Sequence, residues 1–261
     1  MSNVIELSGI GLQKDGKVIL DGIDLCIESG QCCAVIGPNG SGKSSLISII
    51  AGYQWPSEGS VHFCGQTYGE VSLADVRSEI SLITTSRVPE FDSNITAWQV
   101  VATGLFETIR LPITRDLTED ETARVDDMVK MGGLCKLAGR SYHCLSTGER
   151  MNTLICRSLM KKPKLLVLDE PTLGLDIRNR ESVIRNLSNL QKDADGPAVL
   201  IVTHHLSELP ENVDMVCMLK DGRFMAKDLP RNILNSDKLT ELFDWPIEVR
   251  QIAGRFYARG K

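Results

Sequence analysis

The octapeptide "GPNGSGKS", Gly37 to Ser44, ends the apolar run "CCAVIG" and opens the run "KSSLISIIAG". An uninterrupted apolar run of this length is typical of a strand buried on both faces. The second run has helical character, and Gly52 stands where a glycine ends a helix. A G-x-x-x-x-G-K-[ST] loop between a strand and a helix is a phosphate-binding loop. The stretch therefore predicts an α/β fold with a P-loop NTPase parallel-sheet core.

Each residue type in this loop has a physical task. Gly37, Gly40 and Gly42 let the backbone wrap around phosphates with its N–H groups pointing inward. Lys43 is predicted to reach the β- and γ-phosphates of a nucleotide, and the Ser44 hydroxyl to ligate Mg²⁺. The remaining loop positions expected to contact the nucleotide are Pro38, Asn39, Ser41 and Ser45.

A second candidate element is "LLVLDE", Leu165 to Glu170, an apolar strand that ends in two carboxylates. A parallel strand beside the phosphate loop would deliver Asp169 to the metal. Glu170 would then lie where it can polarise an attacking water. The alternative is a strand that ends in a solvated acidic turn, which is common for a lone "DE" but less so after a phosphate loop.

The composition narrows the class of protein. The net charge of −5 and the pI near 5.5 argue against a dedicated nucleic-acid binder, which usually has a basic face. No apolar run approaches the roughly 18 residues of a membrane helix, and "MSNVIELSGIGL" lacks a signal-peptide pattern. The eight cysteines contain no CxxC pair, which favours free thiols over a zinc or disulfide site. We expect a cytoplasmic protein.

The pattern along the chain predicts one domain, 1–261, with an insertion. "IELSGIGL", "KVILDGIDLCI" and "GSVHFCG" indicate an N-terminal antiparallel β subdomain. Residues 1–87 and 164–230 are expected to form the nucleotide-binding core, because strand-like "KLLVLDE" and "AVLIVTHH" flank a helical segment. Residues 88–163, with "TAWQVVATGLFETI" and "EDETARVDDMVKMGGL", are expected to form a helical subdomain. The tail, 231–261, carries no informative pattern.

The pentapeptide "LSTGE", Leu145 to Glu149, has two interpretations. Ser146 with Glu149 three residues later is a capping box and can simply start a helix. The pentapeptide also lies upstream of "LLVLDEPTLGLD" and "VTHH". That order of motifs resembles the ATP-binding subunit of ABC transporters, whose signature reads LSGGQ or a near variant. With "ITAWQVVATGLFETI" and "VTHHLSELP", the chain is similar to molybdate and iron-chelate importer cassettes, and the likeness covers nearly all of it.

The resemblance implies a site that two copies share. In this family each ATP lies between one phosphate loop and the signature helix of the other copy, packed head to tail. The resemblance places Ser146 and the N–H of Gly148 against the γ-phosphate in trans. It assigns Asp176, in "LGLD", to the loop that crosses the dimer interface. It also makes His204, rather than the adjacent His205, the histidine that contacts the γ-phosphate and acts with Glu170 and Lys43 in catalysis.

The chain departs from the family pattern at several positions. The adenine-stacking aromatic is expected near Lys14, but "LQKDGK" has none, so a lysine stem or another residue must cover the ring. Thr84 or Thr85 stands where the family has a glutamine that bridges the metal and the helical subdomain. Thr147 replaces a glycine of the signature, and Glu149 replaces its glutamine; we expect the Glu149 carboxylate to turn away from phosphate.

These patterns lead to one functional hypothesis and two alternatives. The hypothesis is an ATPase with ATP and Mg²⁺ as cofactors, which pairs with a second cassette, drives a transmembrane permease and lies on the cytoplasmic face of the membrane. One alternative is a non-transport ABC ATPase acting on nucleic acid or the ribosome; the chain shows no coiled coil, zinc module or tandem cassette, and we expect no nucleic acid partner. The other is a regulatory nucleotide sensor with degraded hydrolysis, which the intact Lys43, Asp169, Glu170 and His204 disfavour.

Overall fold

The computed structural model describes residues 2–84, 88–190 and 196–261. These residues form the strands β1 (Asn3–Lys14), β2 (Lys17–Glu28), β3 (Cys32–Ile36), β4 (Glu58–Phe63), β5 (Gln66–Thr67), β6 (Ile80–Thr84), β7 (Leu165–Asp169), β8 (Ala198–Thr203), β9 (Met215–Lys220), β10 (Arg223–Asp228), β11 (Ile247–Ile252) and β12 (Arg255–Gly260). They also form the helices α1 (Lys43–Ile50), α2 (Leu73–Glu79), α3 (Ala97–Thr103), α4 (Glu119–Met131), α5 (Thr147–Leu159), α6 (Ile177–Leu190), α7 (Pro230–Ile233) and α8 (Ser236–Phe243).

The central sheet has the strand order β10-β9-β3-β8-β7-β6. Neighbours from β9 to β6 pair in parallel, and β10 pairs antiparallel at the edge. A parallel sheet needs crossover helices, and these cover both of its faces. The loops after β3, β6, β7 and β8 therefore emerge at the same edge of the sheet. The predicted parallel-sheet core of the fold class is confirmed.

Strand β3 shows why the sequence favours this sheet. All five of its residues are buried, and they alternate between two hydrophobic clusters. Cys32, Ala34 and Ile36 join the cluster that includes α5 and α6, whereas Cys33 and Val35 join the cluster that includes α1 and the N-terminal sheet. A strand with apolar residues on both faces has no stable place at the surface. The strand thus fixes the start of the phosphate loop rigidly in the core.

The N-terminal antiparallel sheet has the order β2-β1-β4-β5. Its two long strands, β1 and β2, are interrupted by register shifts, and Gly9 and Gly22 there have positive φ angles of 58° and 63°. At Gly59, φ is 88° and an added Cβ would lie 2.5 Å from the carbonyl oxygens of Ser8 and Gly9. Only glycine allows β4 to approach β1 this closely. The predicted antiparallel subdomain is confirmed.

Helices α3, α4 and α5 form a unit with a small core of their own. This core consists of Val101, Ala102, Val125, Val129, Leu134, Cys156 and Met160. Helix α3 is shorter than the run "TAWQVVATGLFETI" predicts, because it ends at Thr103. A Cβ on Gly104 would lie 2.1 Å from the carbonyl oxygen of Arg157, so close packing against α5 requires the glycine. The inserted helical part of the fold class is confirmed.

The tail, which the sequence left without a pattern, is regular in the structure. Helix α8 precedes the hairpin β11-β12, and Leu239 and Leu242 of α8 are fully buried. The partly buried side chains of Ile247, Val249 and Phe256 pack against the main core. The hairpin also contacts the short 3-10 turn Leu206–Glu208. The tail is therefore part of the folded body.

Candidate functional site

The phosphate loop connects β3 to α1 at the carboxyl edge of the sheet. An added Cβ at Gly37 would lie 2.1 Å from the carbonyl oxygen of Leu219, and one at Gly42 would lie 2.7 Å from Cδ2 of Leu20. Gly40 and Gly42 have φ angles of 82° and 106°, which side chains other than glycine rarely adopt. Gly37 and Gly42 are thus required by close packing against neighbouring segments, and Gly40 and Gly42 by their backbone conformation. Asn39 at its crest and Ser44 at the start of α1 are exposed.

Lys43 is buried in the centre of the loop. Its Nζ donates hydrogen bonds to the carbonyl oxygens of Gly37 at 2.9 Å and Pro38 at 2.8 Å. Burial lowers the pKa of the Lys43 ammonium, and the carboxylates of Glu170 and Asp169 oppose that shift. The ammonium therefore lies in the field of both acidic residues predicted from "LLVLDE" and is surrounded by the loop that would receive phosphates.

Asp169 ends β7. We expected this strand to lie directly beside β3, and that expectation is wrong. Strand β8 lies between them, and Asp169 pairs with Val202 of β8. The carboxylate nevertheless acts on Lys43. Burial raises the pKa of Asp169, the charge of Glu170 raises it further, and Lys43 opposes both. Two carboxylates held next to one ammonium leave a surplus of negative charge, which suits an additional cation.

Glu170 is held in an unusual conformation beside His204. Its φ angle is 51°, and its N–H donates to the carbonyl oxygen of Val202 at 2.8 Å. The contact between Oε1 of Glu170 and Nδ1 of His204 measures 2.7 Å, and Oγ1 of Thr203 lies 3.4 Å from Oε2. Strained backbone at such a point is typical of functional sites. The structure thus brings together Glu170 and the histidine that the resemblance selects, while the ring centroids of His204 and His205 lie 3.9 Å apart with their planes tilted by 43°.

The position of the expected glutamine is described only in part. Thr84 is the last residue of β6 and pairs with Asp169 across the parallel ladder. Thr84 is buried, and through this pairing the end of β6 lies directly beside the predicted metal ligand Asp169. Thr85, the other candidate for this position, lies outside the described residues.

The signature pentapeptide forms the start of α5. Oγ of Ser146 accepts a hydrogen bond from the N–H of Glu149 at 3.3 Å, and the Glu149 carboxylate accepts one from the N–H of Ser146 at 2.8 Å. This is a complete capping box. The Glu149 carboxylate is consequently turned back onto its own helix end. That it turns away from a phosphate bound in trans stays a prediction. The capping role is real, and it leaves the N–H groups of Thr147 and Gly148 at the helix N-terminus.

Asn179 connects the signature to the loop that carries Asp176. Oδ1 of Asp176 accepts the N–H of Asn179 at 2.8 Å, and Oδ2 accepts its side-chain amide at 2.9 Å. Oγ of Ser146 lies 3.5 Å from Oδ1 of Asn179. A Cβ on Gly148 would be only 2.3 Å from Cβ of Asn179. Ser146, Gly148 and Asp176 therefore meet within one chain through a residue that the sequence analysis missed.

The motifs that form this site belong to a known protein family. A family model described as "ABC transporter" matches residues 20–173, more than half of the chain. The chain belongs to the ABC transporter family. It is accordingly an ATP-binding, ATP-hydrolysing subunit of the kind the motif order predicts. No helix in the ranges 2–84, 88–190 and 196–261 has both the length and the apolar character to cross a membrane.

Individual members of the family align along most of this chain. An uncharacterised ABC transporter ATP-binding protein, YmeB of Lactococcus lactis, is 30% identical over 97% of this chain and 97% of its own length. The hemin import ATP-binding protein HmuV of Nocardia farcinica is 33% identical, over 88% of this chain and 77% of that protein.

Solved structures of family members have the same fold. CbiO1 of Clostridium perfringens, part of the transporter complex CbiONQ, is 27% identical with a TM-score of 0.78, covering 92% of this chain and 94% of that one. The dimeric structure of the bacterial cassette MJ0796 is 25% identical with a TM-score of 0.71, covering 86% and 98%. The similarity to iron-chelate importer cassettes inferred from sequence agrees with the hemin importer among the relatives.

The residues of this ABC subunit fit a nucleotide and its metal. Among the described residues, the buried hydroxyl of Ser41 inside the loop has no hydrogen-bond partner. A buried hydroxyl of this kind costs free energy until an acceptor or donor reaches it, and a phosphate oxygen is a suitable acceptor. One hydroxyl from Ser44 and one carboxylate from Asp169 match Mg²⁺, which binds few protein ligands and keeps waters and phosphates.

Two further features of the ABC site concern residues outside the motifs. The carboxyl group of Glu208 is almost fully buried, and its Oε2 accepts a hydrogen bond of 2.5 Å from Oγ1 of Thr203. Thr203 precedes His204, so this bond holds the strand end that carries the histidine. Sequence spacing gave no signal for the role of Glu208.

The segment where an adenine-stacking aromatic was expected lies at the turn between β1 and β2. Lys14 is an exposed residue that ends β1, and the exposed Val18 pairs with Gln13 across the turn.

Proposed function

We propose that this chain binds MgATP between two copies packed head to tail and that hydrolysis drives a separate membrane permease from the cytoplasmic face. The observation that carries this proposal is the contact of 2.7 Å between His204 and Glu170, next to the buried ammonium of Lys43. A carboxylate oriented by a histidine at the mouth of a phosphate loop is suited to activate water. The positions of Ser146 and Gly148 at a capped helix start support the paired arrangement.

The hydrolytic step uses the described side chains in defined roles. The loop amides and Lys43 hold the β- and γ-phosphates. Mg²⁺, held by Ser44 and Asp169, would offset the charge that develops on the phosphate oxygens. Glu170 takes a proton from the attacking water, whose oxygen bonds to the γ-phosphorus. The bond from phosphorus to the bridging oxygen breaks, and ADP leaves.

His204 supports this step through its contact with Glu170. When Nδ1 carries the proton, it donates to Oε1 and holds the carboxylate in one orientation, so that Oε2 remains for the water. The strained φ angle of Glu170 has the same consequence, because the backbone directs the side chain to one place. Most of the rate enhancement then comes from positioning and electrostatics.

The paired arrangement explains why the signature forms such a regular helix start. The N-terminus of α5 carries partial positive charge and free N–H groups, which favour an anion. The capping box engages Oε2 of the Glu149 carboxylate with the N–H of Ser146 in the same helix end. A second copy could therefore present this helix end to the γ-phosphate. The dimer formed by the cassette MJ0796 supports the same assembly here.

The permease and the transported compound are proposed from the relatives. CbiO1 is part of a transporter complex, and HmuV is named for hemin import. We propose a metal-chelate importer in which the helical segment 88–163 moves with the nucleotide state and transmits that movement to the permease. Affinity purification of the tagged full chain from solubilised membranes tests this proposal. Recovery of a polytopic membrane protein supports it, whereas recovery of ribosomal or nucleic-acid-bound proteins alone would contradict it.

The decisive experiment on the nucleotide site traps the dimer. Glu170→Gln keeps the shape of the side chain but cannot take the proton, so turnover should fall by about 10²- to 10⁴-fold. The variant should form a dimer with ATP and remain monomeric with ADP in gel filtration with light scattering. Ser146→Arg, added to Glu170→Gln, should prevent the dimer while a fluorescent ATP analogue still binds. Wild-type turnover by Glu170→Gln would remove Glu170 from its role, and a dimer that ignores Ser146→Arg would refute the shared site.

A further inference from the structure

Arg255, the first residue of β12, joins two elements that lead away from the hydrolytic site. Its Nη1 forms an ion pair of 2.5 Å with Oε2 of Glu181 on α6. Its Nη2 donates a hydrogen bond to the carbonyl oxygen of Ser207 in the turn Leu206–Glu208. Helix α6 begins directly after Asp176, and the turn begins two residues after His204. One guanidinium from the tail thus contacts both segments.

The environment of Arg255 indicates a fixed contact. The side chain is only 10% exposed, and its Nε is buried without a hydrogen-bond partner among the described residues. The ring of Tyr257 lies 5.8 Å from the guanidinium carbon. A buried guanidinium is costly unless it is paired, and its planar fork holds two acceptors in one geometry. Loss of this group would leave the carbonyl oxygen of Ser207 without this donor and would break the link between the turn and Glu181.

The turn that Arg255 contacts is bonded to the strand end that carries the histidine. Oε2 of Glu208, at the end of the turn, accepts a hydrogen bond of 2.5 Å from the hydroxyl group of Thr203. The N–H of His205 donates to Oγ1 of Thr203 at 3.0 Å. His204 lies between these two residues and contacts Glu170. A displacement of the turn would therefore be transmitted to the imidazole over a few bonds, through groups that are already paired.

We propose that Arg255 is a positioning residue for ATP hydrolysis, acting through the turn Leu206–Glu208 on His204. This inference rests on the proposed roles of Glu170 and His204. The phosphate loop is formed by other elements, so Arg255 should affect the chemical step and leave nucleotide binding unchanged. A misplacement of about 1 Å in a reacting group can cost about 10²-fold in rate. Arg255 is then the residue through which the tail supports hydrolysis.

The test compares Arg255→Ala with a matched control in the same strand. Arg259 also forms an ion pair from β12, with Glu248, but its side chain is 72% exposed. Arg255→Ala should lower kcat by about 10- to 100-fold with little change in KM for ATP, a split that loss of positioning predicts. Arg259→Ala should keep both constants near the wild-type values. All variants are full chains assayed well below their melting temperatures, and binding of a fluorescent ATP analogue is measured in parallel.

Conservative variants keep the proposal testable if Arg255→Ala does not fold. Arg255→Lys retains a donor for one of the two acceptors, so kcat should lie between the wild-type and Ala values. Glu181→Gln retains an acceptor and should be milder than Glu181→Ala, with unchanged KM in both. The proposal is overturned if Arg255→Ala, or Arg255→Lys where the former is unfolded, has the kcat of Arg259→Ala. A rise in KM with unchanged kcat would also overturn it.

The reference variant Glu170→Gln separates this inference from the proposed function. If Glu170→Gln is inactive while Arg255→Ala behaves like Arg259→Ala, only the positioning role fails. If Glu170→Gln hydrolyses ATP at the wild-type rate, the assignment of the site fails, and the positioning role fails with it.

Discussion

Replacement of Gly148 by alanine gives a quantitative test of the contact between α5 and α6. The added Cβ would lie 2.3 Å from Cβ, 2.6 Å from Cγ and 2.9 Å from Oδ1 of Asn179. Carbon atoms in contact are ordinarily about 3.5–4.0 Å apart, so the two helix starts must separate by roughly 1 Å or more. Such overpacking costs about 1–3 kcal/mol of the free energy of unfolding. In a chain of this size that loss lowers the melting temperature by roughly 2–12 °C.

The assay is thermal and urea unfolding of the chain without nucleotide, so that a contact with phosphate in trans cannot contribute. Gly139→Ala is the matched control, because its added Cβ has no heavy atom within 4 Å and its φ angle is not positive. It should be neutral or slightly stabilising, by up to about 1 kcal/mol, since alanine restricts the unfolded chain.

A double-mutant cycle identifies the clashing partner. Asn179→Gly removes the nearest atom, so Gly148→Ala should cost less in that background, with a coupling of about 0.5–3 kcal/mol. If Gly148→Ala is no more destabilising than Gly139→Ala, the close packing of the two helix starts is wrong. In that case the glycine would be needed only for the approach to phosphate.

Three other substitutions test single interactions. Lys43→Ala should abolish tight binding of a fluorescent ATP analogue, because the phosphates lose their fixed counter-charge; binding near the wild-type affinity would contradict that role. The Arg115 guanidinium and the helix cap lower the pKa of Glu121 to about 2, so the stabilisation from this ion pair is complete above the unfolded pKa of about 4.5 and is lost as the pH falls towards 2. The difference in stability between wild type and Glu121→Gln should therefore disappear over that range, and a difference that persists at pH 2 would exclude the carboxylate as its source. Tyr68→Phe removes the hydroxyl that donates to the buried carbonyl of Ile50 at 2.6 Å, which should cost about 1 kcal/mol in urea unfolding; no change would mean that water replaces the donor.

Much of the fold and of the P-loop site could be predicted from local sequence patterns. The run around β3 is apolar at every position, which indicates a strand buried on both faces, as in a parallel sheet. The glycines of the phosphate loop and the capping box at Ser146 act within a few residues, so their spacing carries the whole signal. The length of α3 could not be predicted in this way, since the helix ends at Gly104, where packing against the backbone of Arg157 in α5 leaves no room for a Cβ.

Only the tertiary structure decided how distant segments meet. The insertion of β8 between β3 and β7, the contact of Asn179 with Gly148 and the double contact of Arg255 all join residues far apart in the chain. Residue spacing encodes which face of an element is buried, but not which partner covers that face or which side chain reaches across it. Those choices depend on close packing of the whole core, where a shift of one atom is felt by every neighbour. The motifs could therefore be identified from the sequence, whereas the contact between His204 and Glu170 could be seen only in the tertiary structure.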